Sequence, residues 1–437
     1  MLISELYTLY SQYPVITTDS RICQPGSIFF ALKGESFDGN AFAIKALQAG
    51  CSYAVIDDAS FCTDNRMILV DDVLSTLQQL ARMHREALKT PVIGITGTNG
   101  KTTTKELAAT VLSKKYNTLF TQGNLNNHIG VALTLLRLTR EHEIAVVEMG
   151  ANHPGEIRDL ANIAIPDYGL ITNVGYAHLE GFGSFEGVVK TKGELYDFIR
   201  NTDGKIFINS DNKELSGISN GIEQITYGIE NKLSVPDKKF VSGKKADSLP
   251  FLSFIWKHED TQHSITTRLI GDYNLYNTLA AIAIGVYFGV SPEQINDALS
   301  NYEPTNNRSQ FKKTDYNELI IDAYNANPSS MRAALENFAS SETTPNSLSK
   351  AAILGDMREL GDKSPELHSE ILELAEKSGL EKILLCGEQF SAVGKGHICF
   401  PTVEELDEFL RTNPLQGYHV LIKGSRGIHL EKIIDKL

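Results

Sequence analysis

Residues 94–103, which read GITGTNGKTT, constrain this chain more than any other stretch of its sequence. The apolar run before them predicts a buried strand, and apolar residues at helical spacing follow them. A strand, a glycine turn and a helix N-terminus together form an anion site, because backbone N–H groups and the helix dipole both face the ligand. We expect Lys101 to reach the terminal phosphates of a nucleotide and the Thr102 hydroxyl to bind a magnesium ion.

The strict eight-residue phosphate-loop pattern is not met, since Ile95 stands where that pattern has its first glycine. A tight turn with a coincidental lysine is the alternative, and the strand before the loop and the helix after it argue against that alternative. The loop residues expected to hold the nucleotide phosphates are Gly97, Thr98, Asn99, Gly100, Lys101, Thr102 and Thr103.

The chain has 437 residues, of which 42% are hydrophobic and 22% charged. This length and composition predict a globular protein of roughly two to four domains. No stretch approaches the roughly 18 apolar residues of a spanning helix, and the N-terminus lacks the pattern of a secretion signal. Five scattered cysteines are typical of a reducing cytosol, so we expect a cytoplasmic protein without membrane insertion. The net charge of −13 disfavours nucleic-acid binding.

Alternating strand and helix patterns divide the chain into three predicted units, residues 1–87, 88–309 and 310–437. In the second unit this alternation predicts a mostly parallel sheet with helices on both faces. Its polar, lysine-rich segment 228–262 is expected to be a surface excursion or a hairpin. Strands are predicted at 27–32, 53–56, 67–70, 92–96, 144–148, 170–173, 205–209, 319–323, 351–354, 382–386 and 420–423. Helices are predicted at 41–49, 74–88, 104–114, 127–138, 186–199, 329–340, 365–378 and 402–411.

Polar residues follow two further strands of the second unit, where ligand sites of such sheets lie. Glu148 ends an apolar run and is a natural magnesium ligand, with helix capping as the alternative. His178 lies in a glycine-bounded loop, and its place beside the nucleotide site favours a ligand role over that of a structural histidine. By contrast, Lys192 occupies an ordinary charged helix face, and the pattern alone does not single it out.

Further candidates lie later in the chain. Asn274 and Asn277 stand one helical turn apart, so both amides suit a purine edge, although surface asparagines are an equally good interpretation. Arg308 lies at the boundary between the second and third units, where it either reaches a nucleotide phosphate or pairs with a local carboxylate. The polar strand ends at 322–328 and 421–427 are typical of ligand binding, with a helix-capping turn as the alternative for the first.

The chain resembles the Mur ligase family in four motifs that occur in the family's order: the loop at 97–103, Glu148-Met149-Gly150, the loop at 173–181 and Lys192-Gly193-Glu194. Members of this family build the peptide stem of bacterial cell-wall precursors, and the resemblance covers the whole chain. Segments 19–21, 29–39, 324–328, 355–361 and 423–426 resemble the branch that adds D-alanyl-D-alanine. The Asp-Asn-Pro-Arg motif that favours a diaminopimelate-adding enzyme is absent from the sequence.

The resemblance implies an α/β protein of three domains. A small N-terminal α/β domain would bind the UDP-muramoyl precursor. A central phosphate-loop-type domain would bind ATP, and a Rossmann-like C-terminal domain would bind the incoming dipeptide. The implied reaction uses ATP and Mg²⁺ to join UDP-N-acetylmuramoyl-tripeptide and D-alanyl-D-alanine through an acyl phosphate, and we expect a monomer. Another Mur-type ligase, a folylpolyglutamate synthase, a small-molecule kinase and a nucleotide switch without ligation are the alternatives.

The resemblance also assigns roles to single residues. Thr102, Glu148 and His178 would hold the metal, joined by Lys192 in carbamylated form. Asn274 and Asn277 would face the adenine, although Tyr273 stands where relatives often carry histidine. The catalytic set is Lys101, Glu148, His178, Lys192 and Arg308, and Arg308 with Asp322 completes the nucleotide site. The expected precursor contacts are Ser20, Arg21, Lys33, Gly34, Asp38, Asn124, Asn126 and Asn127. The expected dipeptide contacts are Tyr324, Asn325 and Asn327.

Overall fold

Three sheets follow one another along the chain in the computed structural model, which describes residues 2–230, 240–246, 250–304, 307–340 and 348–437. Most strand pairs in all three sheets are parallel, and helices connect the strands. The predicted α/β class is therefore confirmed. In the part of the chain that the structure describes, no helix is long and apolar enough to cross a membrane.

The first sheet has four parallel strands beside one short antiparallel pair. Its elements are α1 (Ile3–Gln12), β1 (Val15–Thr17), β2 (Ser27–Phe30), β3 (Lys33–Gly34), β4 (Phe37–Asp38), α2 (Ala43–Gln48), β5 (Tyr53–Ile56), β6 (Met67–Leu69) and α3 (Val73–Leu88). The strand order is β1-β2-β5-β6, with β3 and β4 forming the separate pair. All four residues of β2 are buried, and three of them, Ile28, Phe29 and Phe30, are apolar.

The second sheet has nine strands and carries the phosphate-loop sequence after its first strand. Its elements are β7 (Val92–Thr96), α4 (Lys101–Leu112), β8 (Thr118–Phe120), α5 (Gly130–Leu135), β9 (Ile144–Glu148), α6 (Glu156–Ala164), β10 (Tyr168–Ile171), α7 (Leu179–Phe182), α8 (Phe185–Asn201), β11 (Lys205–Asn209), α9 (Lys213–Ile218), β12 (Glu223–Ile229), β13 (Val241–Ala246), β14 (Ser253–His258), β15 (Thr261–Thr266), α10 (Asn274–Tyr287) and α11 (Pro292–Ser300).

The strand order of this sheet is β15-β14-β13-β12-β11-β10-β7-β9-β8. Helices α4 and α10 pack together on one face, and α6 and α8 pack together on the other. Each face thus has its own apolar core. Strands β7 and β9 are buried along their whole length between these two cores, as their apolar sequences predict.

The third sheet has six strands and follows the same alternation. Its elements are β16 (Gln310–Lys313), β17 (Glu318–Asp322), α12 (Pro328–Ser340), β18 (Ser349–Gly355), α13 (Ser364–Glu376), β19 (Lys382–Cys386), α14 (Glu388–Val393), β20 (Ile398–Phe400), α15 (Val403–Thr412) and β21 (Tyr418–Lys423). The order is β16-β17-β21-β18-β19-β20, and only β16 pairs antiparallel among these described strands.

Helix α3 belongs to the first and second units at once. It packs against α1 on one side and against α5 and α6 on the other. Its buried Leu77 and Leu80 share one hydrophobic cluster with Leu6 of α1 and Leu160 of α6. A continuous core therefore crosses the predicted boundary near residue 87, and the three-domain division itself stays a prediction.

Several predicted element bounds differ from the structure by one to a few residues, and local contacts explain two of the differences. The strand predicted at 170–173 ends at Ile171, because Ile171 pairs with Thr96, the last residue of the neighbouring strand β7. Beyond it, the Thr172 hydroxyl donates to the Asn99 carbonyl at 2.6 Å. The helix predicted at 127–138 is shorter, because the Asn127 side chain accepts the N–H of Gly130 at 2.9 Å and the helix begins there.

The segment 228–262 is part of the central sheet, so its prediction as a surface excursion is wrong and the hairpin alternative is right. Strands β13, β14 and β15 pair antiparallel at one edge of the sheet. Phe254 and Trp256 of β14 are fully buried in the core that α10 covers, which holds this hairpin against the sheet. Residues 231–239 and 247–249 lie outside the described part of the chain.

Candidate active site

Three loops meet at the carboxyl ends of neighbouring strands in the central sheet. Strand β7 lies between β9 and β10, so the phosphate loop, Glu148 and the loop after β10 share one edge. Residues of the third unit face this edge across a cleft of about 1110 Å³. The predicted site residues that line the cleft are Thr98, Asn99, Gly100, Lys101, Thr102, Thr103, Asn124, Asn126, Asn127, Glu148, His178, Asn274, Asn277, Arg308, Asp322, Tyr324 and Asn325.

The shape of the phosphate loop requires its glycines. Gly97 and Gly100 have φ of +141° and +79°, the region that side-chain-bearing residues avoid. A Cβ on Gly97 would lie 2.0 Å from the Thr172 hydroxyl oxygen, and one on Gly100 would lie 2.4 Å from Asn277 Oδ1. The loop is also tied to the strand beside it, because the N–H of Asn99 donates to Asn173 Oδ1 at 3.0 Å. Helix α4 then begins at Lys101, three residues earlier than predicted.

Lys101 is half-buried and points back across its own loop. Its Nζ donates to the carbonyls of Gly97 and Thr98, at 2.8 and 3.1 Å. Burial of the ammonium lowers the pKa of Lys101, partly countered by the charge of Glu148. The ammonium therefore sits inside the curve of the loop, and its contact with nucleotide phosphates stays a prediction.

Glu148 presents one satisfied and one unsatisfied oxygen. Its Oε1 accepts hydrogen bonds from the Thr102 hydroxyl at 3.1 Å and from Asn126 Nδ2 at 2.8 Å. Its Oε2 has no hydrogen-bond partner, although the residue is 1% exposed. A buried carboxylate with a spare oxygen next to a hydroxyl is a donor set for a hard cation.

His178 is held from the third unit rather than from its own. Its Nδ1 forms an ion pair with the Glu359 carboxylate, and this contact lowers the pKa of Glu359. Both residues have positive φ, +50° and +62°, so both stand at tight left-handed turns. The ion pair joins the loop after β10 to the loop after β18.

Lys192 is buried, so its interpretation as an ordinary charged helix face is wrong. It is 1% exposed, its Nζ donates to the Ala151 carbonyl at 3.1 Å, and the ammonium lies 5.2 Å from the centroid of the Phe182 ring. Burial and the positive charge of Lys101 lower the pKa of Lys192 far below its usual range. An amine in this setting loses its proton readily.

Asn274 and Asn277 are buried at the start of α10, so the surface alternative is wrong. Asn277 accepts from the Thr104 hydroxyl at 3.2 Å and donates to Asn274 Oδ1 at 2.9 Å. Asn274 in turn donates to the Ile270 carbonyl at 2.7 Å. The pair fixes α10 against the phosphate-loop helix, and contact with adenine stays a prediction.

A charged cluster lies in the third unit and at its boundary with the second unit. Lys423 Nζ donates to Asp322 Oδ2 at 2.5 Å, which joins the ends of two neighbouring strands. The guanidinium carbon of Arg308 lies 3.7 Å from the centroid of the Tyr324 ring, a cation–π contact. Within the described part of the chain, Arg308 thus packs on an aromatic ring and forms no ion pair with the local carboxylate considered from the sequence.

Asn327 ties the third unit to the phosphate loop. Its Nδ2 donates to Asn99 Oδ1 at 2.8 Å, while its Oδ1 accepts the N–H of Ser330 at the start of α12. Asn327 also lines a smaller cavity of about 180 Å³, together with His178, Asn325, Arg358 and Arg426. The role of Asn325 and Asn327 in dipeptide binding stays a prediction.

The predicted precursor residues of the first unit lie elsewhere. Among the described residues that line the main cleft, none of Ser20, Arg21, Lys33, Gly34 and Asp38 occurs. Arg21 pairs with Asp19 at 2.6 Å on the surface, and Lys33 pairs with Asp57 at 2.8 Å. Their role in binding the precursor stays a prediction.

Two helices line the cleft with residues that the sequence did not single out. Helix α3 contributes Gln78 and Arg82, and α6 contributes Glu156 and Asp159. The sequence does indicate that α6 is a helix, because its buried residues recur at helical spacing: Ile157, Leu160, Ala161 and Ala164. Nothing comparable marks the polar face of α3 as part of a site.

Family models match consecutive parts of the chain. The Mur ligase family catalytic domain matches residues 12–110, the Mur ligase middle domain residues 95–285, and the Mur ligase glutamate ligase domain residues 307–426. The UDP-N-acetylmuramoyl-tripeptide–D-alanyl-D-alanine ligase of Bacillus subtilis (strain 168) is 34% identical, over 97% of this chain and 92% of that protein. The chain belongs to the Mur ligase family. The predicted resemblance is thereby confirmed.

Other Mur ligases agree in sequence and in structure. The Escherichia coli (strain K12) enzyme with the same name is 34% identical, over 97% of this chain and 93% of its own length. A crystal structure of MurF from Acinetobacter baumannii superposes with a TM-score of 0.87 at 31% identity, over 100% of this chain and 98% of that one. The MurF ligase of Thermotoga maritima in complex with ADP gives 0.85 at 25% identity, over 97% of both chains.

Proposed function

We propose that this Mur ligase joins D-alanyl-D-alanine to UDP-N-acetylmuramoyl-tripeptide with conversion of ATP to ADP and phosphate. The observation that carries the proposal is the match over nearly the whole chain to ligases named for this reaction. The cleft supports it, since the phosphate loop and Glu148 face the polar groups of the third unit across it. An amide bond needs an activated acid and an amine in one water-poor space, and a cleft between two units provides this.

In the first step, a carboxylate oxygen of the tripeptide attacks the γ-phosphorus of ATP, and the bond from that phosphorus to the bridging oxygen breaks. The products are an acyl phosphate and ADP. Both reactants are anions and the chain itself carries a net charge of −13, so local cations have to overcome repulsion. Lys101 and Arg308 line the cleft and supply positive charge that stabilises the transition state.

In the second step, the amine of D-alanyl-D-alanine attacks the acyl carbon and gives a tetrahedral intermediate. Phosphate leaves with the electrons of the carbon–oxygen bond and takes up the proton that the amine loses, and an amide remains. Asp322 and Lys423 stand as a pair on the third-unit side of the cleft. Closure of the third unit, through contacts such as Asn327 with Asn99, keeps water from the acyl phosphate.

The donor set fits magnesium. Among the described residues, no group of three or more His, Cys, Asp or Glu side chains forms a closed metal site. Magnesium is usually bound by one or two carboxylates together with substrate phosphates and water, so a closed site is not required. Glu148 through its spare oxygen, Thr102 through its hydroxyl and His178 would hold the ion. The ion supplies charge neutralisation for the phosphoryl group.

The remaining assignments are proposals of the same kind. The first unit is assigned to the UDP-muramoyl precursor, the second to ATP and the third to the dipeptide. Lys192, with its lowered pKa, is assigned as a carbamate, since a neutral amine is the form that reacts with carbon dioxide. The carbamate turns a repelling cation into an oxygen ligand. A cytoplasmic location and a monomeric state stay predictions.

Phosphate release with UDP-N-acetylmuramoyl-tripeptide, measured with D-alanyl-D-alanine present and omitted, tests the proposal. A ligase releases phosphate at a rate that depends on both substrates and forms the pentapeptide product. Slow release that ignores the dipeptide would indicate a nucleotide switch, and a stable phosphorylated product would indicate a kinase. Turnover with a folate acceptor instead would indicate the folylpolyglutamate branch.

A further inference from the structure

A second lysine, Lys105, lies one helical turn beyond Lys101 on α4 and takes no part in the chemistry described above. Its side chain is 0% exposed, which makes it one of the largest fully buried side chains in the described part of the chain. A buried ammonium is unfavourable unless anions compensate it. Its charge partners therefore indicate why a lysine stands here.

Two carboxylates flank the Lys105 ammonium. Its Nζ lies 3.5 Å from Glu106 Oε1 and 3.9 Å from Glu148 Oε2. The Phe120 ring covers it with a centroid distance of 5.8 Å. The other oxygen of Glu106 accepts a hydrogen bond from the Tyr302 hydroxyl at 2.6 Å, so Glu106 is itself held in place.

The contact with Glu148 acts on the oxygen that has no hydrogen-bond partner. The Thr102 hydroxyl and Asn126 Nδ2 donate to Oε1, while the Lys105 ammonium lies 3.9 Å from Oε2. Both carboxylate oxygens therefore have a neighbour that restrains them. Without the ammonium, only the two contacts to Oε1 would restrain the carboxylate, and Oε2 could shift by rotation about the last side-chain bond.

We propose that Lys105 is a positioning residue that orients Glu148 for its divalent cation and thereby sets the affinity of the site for that cation. The inference rests on the proposed metal role of Glu148. Partners behind a metal ligand typically contribute tenfold to a hundredfold in metal affinity. The ammonium charge also repels a cation, but Glu106 neutralises that charge, so the loss of orientation outweighs the relief of repulsion when the lysine is removed.

The full-length protein with ADP and Mn²⁺ provides the test, since Mn²⁺ binding is followed by its electron paramagnetic resonance signal without turnover. Lys105→Met is expected to weaken Mn²⁺ binding about tenfold or more, and to raise the Mg²⁺ concentration needed for half-maximal ADP release in parallel. The KM for D-alanyl-D-alanine stays unchanged. Lys105→Arg, which keeps the charge, restores part of the affinity.

Two further variants separate positioning from packing. Lys114→Met makes the same exchange at a partly exposed lysine paired with Asp297, and it leaves Mn²⁺ binding unchanged. Tyr302→Phe removes the 2.6 Å hydrogen bond to Glu106 and keeps Lys105 and both carboxylates, so the Mn²⁺ affinity stays within about twofold of the unchanged protein. An equal loss in Tyr302→Phe and Lys105→Met would mean that the lysine serves the packing of this buried cluster, and would overturn the proposal.

Unchanged or tighter Mn²⁺ binding by Lys105→Met also overturns the proposal. If Lys105→Met does not fold, Lys105→Gln, which keeps a shorter hydrogen-bond donor, is measured against the same thresholds. If the unchanged protein with ADP binds no Mn²⁺, both the metal role of the site and the inference about Lys105 fail. If the unchanged protein and Lys105→Met bind Mn²⁺ equally well, only the inference about Lys105 fails.

Discussion

Replacement of Lys101 by methionine removes one ammonium from the phosphate loop while keeping a side chain of similar length. Among the described residues, that ammonium donates hydrogen bonds to two carbonyls of its own loop, those of Gly97 and Thr98. The nucleotide phosphates are its partners in the proposed reaction. The exchange is therefore expected to affect catalysis much more than folding.

The two effects have different sizes. Loss of one preorganised electrostatic donor typically lowers kcat by about 10²–10³, equal to roughly 3–4 kcal/mol in the barrier. The two hydrogen bonds are charge-assisted and individually worth about 1.5–3 kcal/mol, but the carbonyls left behind line a cleft and regain water. The desolvation that lowers the pKa of Lys101 is also relieved. The free energy of unfolding is thus expected to change by less than about 2 kcal/mol.

Coupled measurement of ADP release with both substrates saturating gives kcat, and thermal unfolding gives the stability change. Lys114→Met serves as the matched control, since that lysine lies at 36% side-chain exposure beside Asp297. A kcat for Lys101→Met within about threefold of the unchanged enzyme would refute the electrostatic reasoning. An unfolded Lys101→Met protein would refute the separation of catalysis from stability.

Three further outcomes are expected. Gly100→Ala places a Cβ 2.4 Å from Asn277 Oδ1 at a φ of +79°, so ADP affinity measured by calorimetry is expected to fall about tenfold or more. Asn327→Ala removes the 2.8 Å bond to Asn99, and the KM for ATP is expected to rise about fivefold, reflecting about 1 kcal/mol. Burial lowers the pKa of His84 below 6.5, so the unfolded chain takes up a proton more readily than the folded protein and stability falls as the pH drops below that value. In thermal unfolding, His84→Gln is therefore expected to lose less stability than the unchanged protein on acidification to about pH 5.

Each outcome has a control. Gly221→Ala has a similar φ of +76° with no atom within 4 Å of the added Cβ, so it carries the backbone strain alone; equal loss of ADP affinity would contradict the clash argument. Asn413→Ala changes an exposed helix end in the same unit, and an equal rise in KM there would contradict the interdomain bond. Parallel acid sensitivity of His84→Gln and the unchanged protein would show that His84 does not carry the effect.

The sequence was sufficient to predict which residues meet at one edge of the central sheet, because apolar runs predict buried strands and ligand sites follow such strands. Lys101, Thr102 and Glu148 do line the cleft at that edge, while their roles stay predictions. The approach of the phosphate loop to Glu148 then follows from the adjacency of β7 and β9. Strand bounds set by burial alone, such as 92–96 and 144–148, are right to the residue.

Residues whose setting depends on distant chain segments could not be found in this way. Lys192 looks like a surface lysine in its own helix, and only the packing of Ala151 and Phe182 makes it buried. The burial of Lys105 is equally invisible in the sequence of its own helix, because it depends on Glu148 and Phe120. Charge spacing along one helix carries no information about what covers it.

Because α3 joins Leu6 and Leu160 in one apolar cluster, one face of the first sheet shares its core with the central sheet, while the cluster around Phe29 and Ala46 on the other face is its own. A fragment that ends before the central sheet would expose the apolar residues of its shared face to water, and it would be less stable than the same sheet in the intact chain. In chemical denaturation of the intact chain, the first two sheets are accordingly expected to unfold in one cooperative transition, independently of the third sheet.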